Sequence, residues 1–152
     1  MQKKLLIFVL SISFITTIIA QNIEINKEYF LSIGETESFE YVNRSKEIKH
    51  CELYLETFLE SKYKDDVTKI YDKAFYIEAY DVATTKFEVD SLQLYLQKFP
   101  NGKYQRKAEM AVDIISWQKA KAENTPESIK AYLEKFPNGR AAKIAQKELE
   151  KF

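Results

Sequence analysis

The sequence predicts an all-α fold, a short α-solenoid of about three helix-turn-helix repeats. Three stretches, residues 51–63, 92–104 and 129–141, align without a gap. Each places apolar residues at spacings i, i+3, i+4 and i+7, which form one stripe on a helix. An internal period of ~34–42 residues built on helices is typical of an α-solenoid, in which each unit buries its apolar face against its neighbours.

Helix-stop signals follow the stripe in two of the three copies. Pro100 and Pro137 come after the last apolar residue, and proline disfavours a helical conformation at the residue before it. Asn-Gly pairs at 101–102 and 138–139 come next, and we expect a turn there because both residue types tolerate left-handed backbone angles. The first copy has other residues at 59–61, so its turn must be built differently.

A second helix is predicted after each turn. The copies are spaced by 41 and then 37 residues, and the four extra residues lie between Phe58 and Ser91. Because about four residues make one helical turn, the helix from about 63 to 83 is predicted to be one turn longer than its successor. Aligned from the far end of that helix, Tyr80 matches Trp117.

Helix starts are marked at two places. Residues 90–93 have the form of a capping box, and Thr125 offers a capping hydroxyl before a proline in the first turn. Nearer the N-terminus the pattern weakens, because Gly34 interrupts a helix and residues 21–30 are predicted to be irregular. The predicted organisation is a signal peptide at 1–20, an irregular or helical lead-in at 21–44, and the repeat domain at 45–152.

The first twenty residues are typical of a secretory signal peptide. Two lysines precede an apolar run from Leu5 to Ile19, and cleavage is predicted between Ala20 and Gln21. The run is about fifteen residues long, shorter than the ~20 of a membrane-spanning helix. The protein is therefore expected to be exported, periplasmic or secreted, without a stable membrane anchor. Retention as an uncleaved anchor is the alternative, since Ile18 is bulky for its place before the cut.

Composition excludes several classes of function. Without the two lysines of the signal segment, the chain has 21 basic and 23 acidic side chains, which argues against nucleic-acid binding because that needs a basic patch. The carboxylates are expected to be solvated on outer helix faces. The one cysteine, Cys51, takes the place of Leu92 and Ile129 and is predicted to be buried and unreactive. The one histidine, His50, has no partner at ligand spacing, so no metal site, cofactor or catalytic residue is predicted.

The segment from Ala131 to Ala145, AYLEKFPNGRAAKIA, resembles the tetratricopeptide repeat, and more closely its variant in bacterial envelope proteins. In that family the helix ending in Phe-Pro is the second of a pair. Residues 99–100 and 136–137 match this phase, whereas residues 58–59 lack the proline. The resemblance covers about residues 45–152 and implies a helical-repeat fold that binds protein or peptide partners in the bacterial envelope. The lipid-modified cysteine of the outer-membrane assembly relatives has no counterpart here.

Three aromatic residues are candidates for a protein-binding surface: Tyr76, Tyr80 and Trp117. The inward stripe does not require them, and they lie on helices that line the concave side of tetratricopeptide stacks. Aromatic side chains are good anchors for a partner peptide. We therefore expect a non-enzymatic protein that binds another protein or peptide. The alternatives are a structural spacer that forms homo-oligomers through its open repeat ends, and an enzyme whose cleft the sequence does not reveal.

Overall fold

The computed structural model describes residues 24–152, and over this range the protein is all-α, as predicted. The predicted signal peptide and its cleavage site between Ala20 and Gln21 lie outside the described residues. The helices of the described part are α1 (Lys27–Ile33), α2 (Glu35–Ser45), α3 (Ile48–Thr57), α4 (Lys64–Lys86), α5 (Asp90–Lys98), α6 (Gln105–Glu123), α7 (Pro126–Lys135) and α8 (Ala142–Leu149).

The helices pack in the order in which they follow one another along the chain. Each helix from α1 to α7 contacts the next, and α4 also contacts α2 and α6. Three core clusters result: the first joins α1 to α4, the second joins α4 to α6, and the third joins α6 to α8. This stepwise burial is what a helical-repeat chain requires, since each unit buries its apolar face against its neighbours.

The prediction of an irregular segment at 21–30 is wrong from Lys27 onward. The side chain of Asn26 caps α1 by accepting a hydrogen bond from the Tyr29 amide at 2.9 Å, and Phe30 is fully buried in the first core. Gly34, at φ +86°, joins α1 directly to α2. The interruption seen in the sequence is thus a junction between two helices. With seven residues, α1 is too short for its periodicity to be visible.

One of the two predicted helix starts is confirmed. The Thr125 hydroxyl accepts a hydrogen bond from the Ser128 amide at 3.1 Å and caps α7. The capping box at 90–93 is wrong, because Val89 is the N-cap and no side chain caps α5. The Ser91 hydroxyl donates instead to the Ala79 carbonyl at 2.7 Å, so it ties α5 to α4.

Two of the turns are held by a buried aspartate, an arrangement that we call an acid clamp. In the first clamp the Tyr95 hydroxyl donates to Asp72 at 2.6 Å, and the Lys103 amide donates to the other carboxylate oxygen at 2.8 Å. In the second, Tyr132 and the Arg140 amide donate to Asp113 at 2.7 and 2.8 Å. Burial, followed by the hydrogen bond to Asp113, raises the pKa of Tyr132 to about 12. The two aspartates contradict the expectation that the carboxylates are solvated.

The explanation of the Asn-Gly turns by left-handed angles is also wrong. Among the described residues, Gly34 is the only glycine with a positive φ. A Cβ at Gly102 would lie 2.5 Å from the Tyr95 hydroxyl and 2.8 Å from Asp72 Oδ1, and Gly139 is equally confined. Glycine is therefore needed because the clamp leaves no space for a side chain.

The first copy solves the same problem with different residues. Ser61 stands where the other copies have glycine, and its hydroxyl donates to Glu35 at 2.6 Å. The Tyr54 hydroxyl meets this serine at 2.7 Å and does not reach the acid. In the first copy, glutamate thus replaces the aspartate of the clamp and serine replaces the glycine. This agrees with the prediction that the first turn is built differently.

The predicted extra turn is confirmed, because α4 has 23 residues and α6 has 19. Three left-handed C-caps end α2, α4 and α6: Lys46, Phe87 and Asn124. Of these residue types, asparagine accepts a left-handed conformation most readily. Phe87 is strained by comparison.

Changing Phe87 to asparagine is expected to stabilise the protein. Phe87 has φ +55° and is 53% exposed, so the variant relieves backbone strain and gives up little packing. We expect the free energy of unfolding to rise by about 0.5–1 kcal/mol in urea titrations. Leu94→Asn, at a similarly exposed site inside α5, is the control and should lower it. A loss of stability in F87N would show that the ring packs more strongly than the strain costs.

Candidate functional site

The described residues contain a groove of about 1070 Å³ beside α4, which we call the α4 groove. Its floor is an apolar stripe on α4, Ile70, Ala74 and Ile77, with spacings of four and three residues that place them on one helix face. Opposite lies the junction of α2 and α3, and Tyr104 closes one side. The further lining residues are Asn43, Lys46, Glu47, Ile48, Lys49, Glu52, Lys69, Lys73, Glu78, Asp81 and Lys103.

The groove exists because neighbouring helices differ in length. At ~1.5 Å per residue, α4 is about 34 Å long, whereas α2 and α3, with 11 and 10 residues, are about 16 and 15 Å long. The first half of α4 supplies Val67 and Tyr71 to the first core. The second half supplies Ala79 and Ala83 to the second core. Beyond Phe75, α4 has no member in the first core, so its face toward α2 and α3 is left open.

The floor of the groove is apolar and accessible. Ile77 is 54% exposed, one of the most exposed large apolar side chains of the described residues. Ile48 and Ile70, which also line the groove, are half-buried. Single exposed apolar residues are ordinary, but an apolar stripe inside a concave surface with charged edges is typical of a binding site.

Charge is distributed unevenly along the groove. Lys69 and Lys73 lie on the first part of the α4 stripe, and Lys103 lies beside them because its amide binds Asp72. Glu78 and Asp81 lie one to three turns further along α4. Along α4, one end of the groove is therefore basic and the other acidic. The opposite wall adds two lysines and two glutamates whose formal charges cancel: Lys46, Glu47, Lys49 and Glu52. The Lys69–Asp66 pair is solvent-exposed and contributes little to fixing either side chain.

One wall of the groove is held in place by a charged network. Glu52 accepts hydrogen bonds from the Tyr71 hydroxyl and from Lys98 Nζ, the latter at 2.9 Å. The Tyr71 bond, followed by that of Lys98, lowers the pKa of Glu52. Lys98 also stands over the rings of Tyr71 and Phe75, at 5.1 and 5.4 Å. These contacts join α3, α4 and α5, so the wall is fixed before any ligand arrives.

The structure separates the three predicted surface residues. The ring of Tyr76 stacks on Tyr104 at 4.8 Å, and its neighbour Tyr80 lies 5.9 Å away and is 44% exposed. Trp117 packs on Tyr132 at 5.3 Å in the third core. None of the three lines the α4 groove, although Tyr76 touches its lining through Tyr104.

Counted from the clamps, Trp117 is matched by Tyr76; counted from the C-caps Phe87 and Asn124, it is matched by Tyr80, as predicted. Tyr76 and Trp117 each lie four residues after the aspartate of their clamp, and each packs on the clamp tyrosine, at 5.5 Å for Tyr76 and 5.3 Å for Trp117. Phe39 follows Glu35 at the same distance along the chain and stacks on Tyr63. These two aromatic positions belong to the repeat. Tyr80 lies in the extra turn of α4 and remains the exposed candidate.

Ile77 and the groove were missed by the sequence reasoning. The signal that could have found Ile77 is an isoleucine in the middle of the extra turn, on the face opposite to Ala79 and Ala83. The sequence carries no signal for the groove itself, because the groove depends on how far α2 extends beside α4. These two helices are separated in the chain by α3.

The side chains of Cys51 and His50 do not hydrogen-bond to each other. Cys51 is fully buried, as predicted, and burial raises the pKa of its thiol to about 11. His50 directs Nδ1 to the Ser45 hydroxyl at 3.0 Å, and burial lowers its pKa. Neither residue lines the α4 groove.

Labelling of Cys51 is expected to be slow in the native protein. A buried thiol whose pKa is about 11 supplies almost no accessible thiolate at pH 8. A thiol reagent should therefore react at the rate at which the protein opens, and immediately once the chain is unfolded in urea. Stopped-flow absorbance measures both rates. Fast labelling of the folded protein would contradict the burial of Cys51 in solution.

The described residues give no sign of a metal site or a membrane span. Over residues 24–152, no three histidine, cysteine, aspartate or glutamate side chains are grouped so that they could bind an ion. Within the same range, every helix is too short or too polar to cross a bilayer. Comparisons with protein-family models, with curated proteins and with solved structures returned no match for this chain.

Proposed function

We propose that this protein is an exported, non-enzymatic helical-repeat protein of the tetratricopeptide type, and that it binds a segment of another protein in the α4 groove. The observation that carries the proposal is the apolar stripe of Ile70, Ala74 and Ile77, half-buried at its first two residues and exposed at Ile77, in a groove of about 1070 Å³. The fold's own described helices leave the Ile77 end of this stripe uncovered, and the network around Glu52 keeps one wall of the groove in place. The Lys-rich start and apolar run of residues 1–20 support export.

The proposal predicts partner capture at Ile77 and not elsewhere. A photo-crosslinking amino acid placed at position 77 in the bacterium should attach a defined protein, identified by mass spectrometry. The same amino acid at Leu94 is the matched control, because Leu94 is 52% exposed on α5, outside the groove. A product that forms equally at both positions would contradict the proposal.

A matched pair of substitutions tests the same claim by affinity. Ile77→Asp places a charge on the groove floor and should reduce capture of that partner at least tenfold, because a charge is costly to bury against an apolar segment. Leu94→Asp should leave capture unchanged. Tyr80→Ala tests the remaining exposed candidate from the sequence, and it should weaken capture if the bound segment extends over the last turns of α4. Circular dichroism should show unchanged helicity in all three variants.

A further inference from the structure

We propose that the occupant of the α4 groove is a short amphipathic helix of a partner protein, about nine residues long, which runs antiparallel to α4 and carries acidic side chains at its C-terminal end. This inference rests on the proposed function and adds the conformation, direction and charge of the bound segment. Three features of the groove support it: its size, the spacing on its floor and its charge.

The size of the groove matches a helix. A helix with its side chains has a diameter of ~10 Å, so a cylinder of that width and the groove's volume is ~14 Å long, or about nine residues. The α4 stripe from Ile70 to Asp81 is about 16 Å long at 1.5 Å per residue. The floor and the volume therefore define the same length of segment.

The spacing on the floor favours a helix over an extended strand. Ile70, Ala74 and Ile77 form an apolar stripe with spacings of four and three residues, the kind of helix face that is buried against another element. The small Ala74 in the middle lets a backbone approach closely. The α4 groove occupies the side of α4 where the first half of the helix packs on α2 and α3, so the partner continues helix-on-helix packing along α4.

The charges set the direction of the bound helix. Its C-terminal end carries a partial negative charge and is stabilised by cations, as its N-terminal end is by anions. On the α4 side of the groove, Lys69 and Lys73 lie at one end together with Lys103, and Glu78 and Asp81 lie at the other. The two lysines and two glutamates of the opposite wall balance each other in formal charge, so the gradient along α4 is the one a bound helix meets. The C-terminus of the partner therefore faces the lysines, where acidic side chains add to the attraction, and this direction is antiparallel to α4.

The test uses the full chain, labelled with ¹³C at isoleucine methyl groups, and three synthetic peptides of 14 residues. The first is an amphipathic peptide held helical by a lactam bridge, with leucines on one face, lysines in its first turn and glutamates in its last. The second exchanges the lysines and glutamates. The third has a central proline in place of the bridge. The first should shift the methyl signals of Ile48, Ile70 and Ile77, and leave Ile114 and Ile144 unchanged.

The outcomes separate this inference from the proposed function. Binding of the charge-exchanged peptide should be at least fivefold weaker, and the difference should shrink in high salt. Equal binding would overturn the direction, and equal binding of the proline peptide would overturn the helix. No methyl shift with any peptide at millimolar concentration would overturn the inference as a whole. The crosslink from position 77 in the bacterium decides the proposed function independently.

Two other occupants are distinguished by crosslinking the purified full chain alone. A crosslink from position 77 to another copy would assign the groove to self-association, and a crosslink to residues 1–20 would assign it to the chain's own apolar segment. Either result would overturn a partner helix. Ile77→Asp should abolish the peptide shifts, and Ile77→Ser, which keeps the site neutral, should weaken them if the aspartate variant is unstable.

Discussion

Replacing Asp72 with alanine is expected to lower the free energy of unfolding by about 3–4 kcal/mol. The carboxylate is buried and accepts two hydrogen bonds, from the Tyr95 hydroxyl and from the Lys103 amide. A hydrogen bond to a charged group contributes about 1.5–3 kcal/mol, and its loss leaves a buried donor unsatisfied. Both donors belong to the α5–α6 hairpin, so Asp72 connects α4 to the next two helices at once.

Graded variants make the origin of that loss visible. Asp72→Asn keeps the shape and one acceptor, and should cost about 2 kcal/mol. Asp81→Ala, at an exposed position on the same helix, should change stability by less than about 0.5 kcal/mol. Urea unfolding followed by circular dichroism measures all three variants. A similar loss for D72A and D81A would contradict the clamp and point to a general effect on α4.

The clamp also shows what the sequence could and could not predict. Tyr95 and Tyr132 were predicted to be inward because they lie on a regular stripe, and both are buried. Asp72 and Asp113 are expected to lie on exposed helix faces, because charged residues are usually solvated. The sequence does contain a signal that these two aspartates belong to the repeat. They lie 41 residues apart, the same interval that separates Tyr54 from Tyr95. Composition arguments average over such positions and cannot single them out.

The candidate site was less predictable than the fold, for a physical reason. Helices and their lengths follow from local spacing, and the longer α4 was predicted from the extra four residues. The α4 groove depends on where α2 ends beside α4, a relation between helices that are not consecutive in the chain. Tyr76 and Trp117 were selected as departures from the repeat, yet both contact clamp tyrosines. Only the side-chain contacts in the structure distinguish an aromatic residue that belongs to the repeat from one that does not.

Replacing Gly102 with alanine is expected to lower the free energy of unfolding by about 2–3 kcal/mol. The added Cβ would approach the Tyr95 hydroxyl to 2.5 Å and both Asp72 Oδ1 and Phe99 Cβ to 2.8 Å. Overpacking of a filled core costs about 1–3 kcal/mol, and here it also disturbs the clamp hydrogen bond. Gly34→Ala is the control. Its Cβ would meet no atom closer than 3.7 Å, so any loss of stability in that variant comes from the positive φ of Gly34 and not from overpacking.

The first copy of the repeat supplies the decisive variant. There, serine and glutamate occupy the places that glycine and aspartate hold in the next copy, and Ser61 donates to Glu35 at 2.6 Å. Gly102→Ser alone should be about as harmful as Gly102→Ala. Combining it with Asp72→Glu should recover at least half of the lost stability, since the longer acid makes room for the serine and accepts its bond. Simple addition of the two losses would show that the exchange between copies is accidental, and recovery would show that the clamp constrains both positions together.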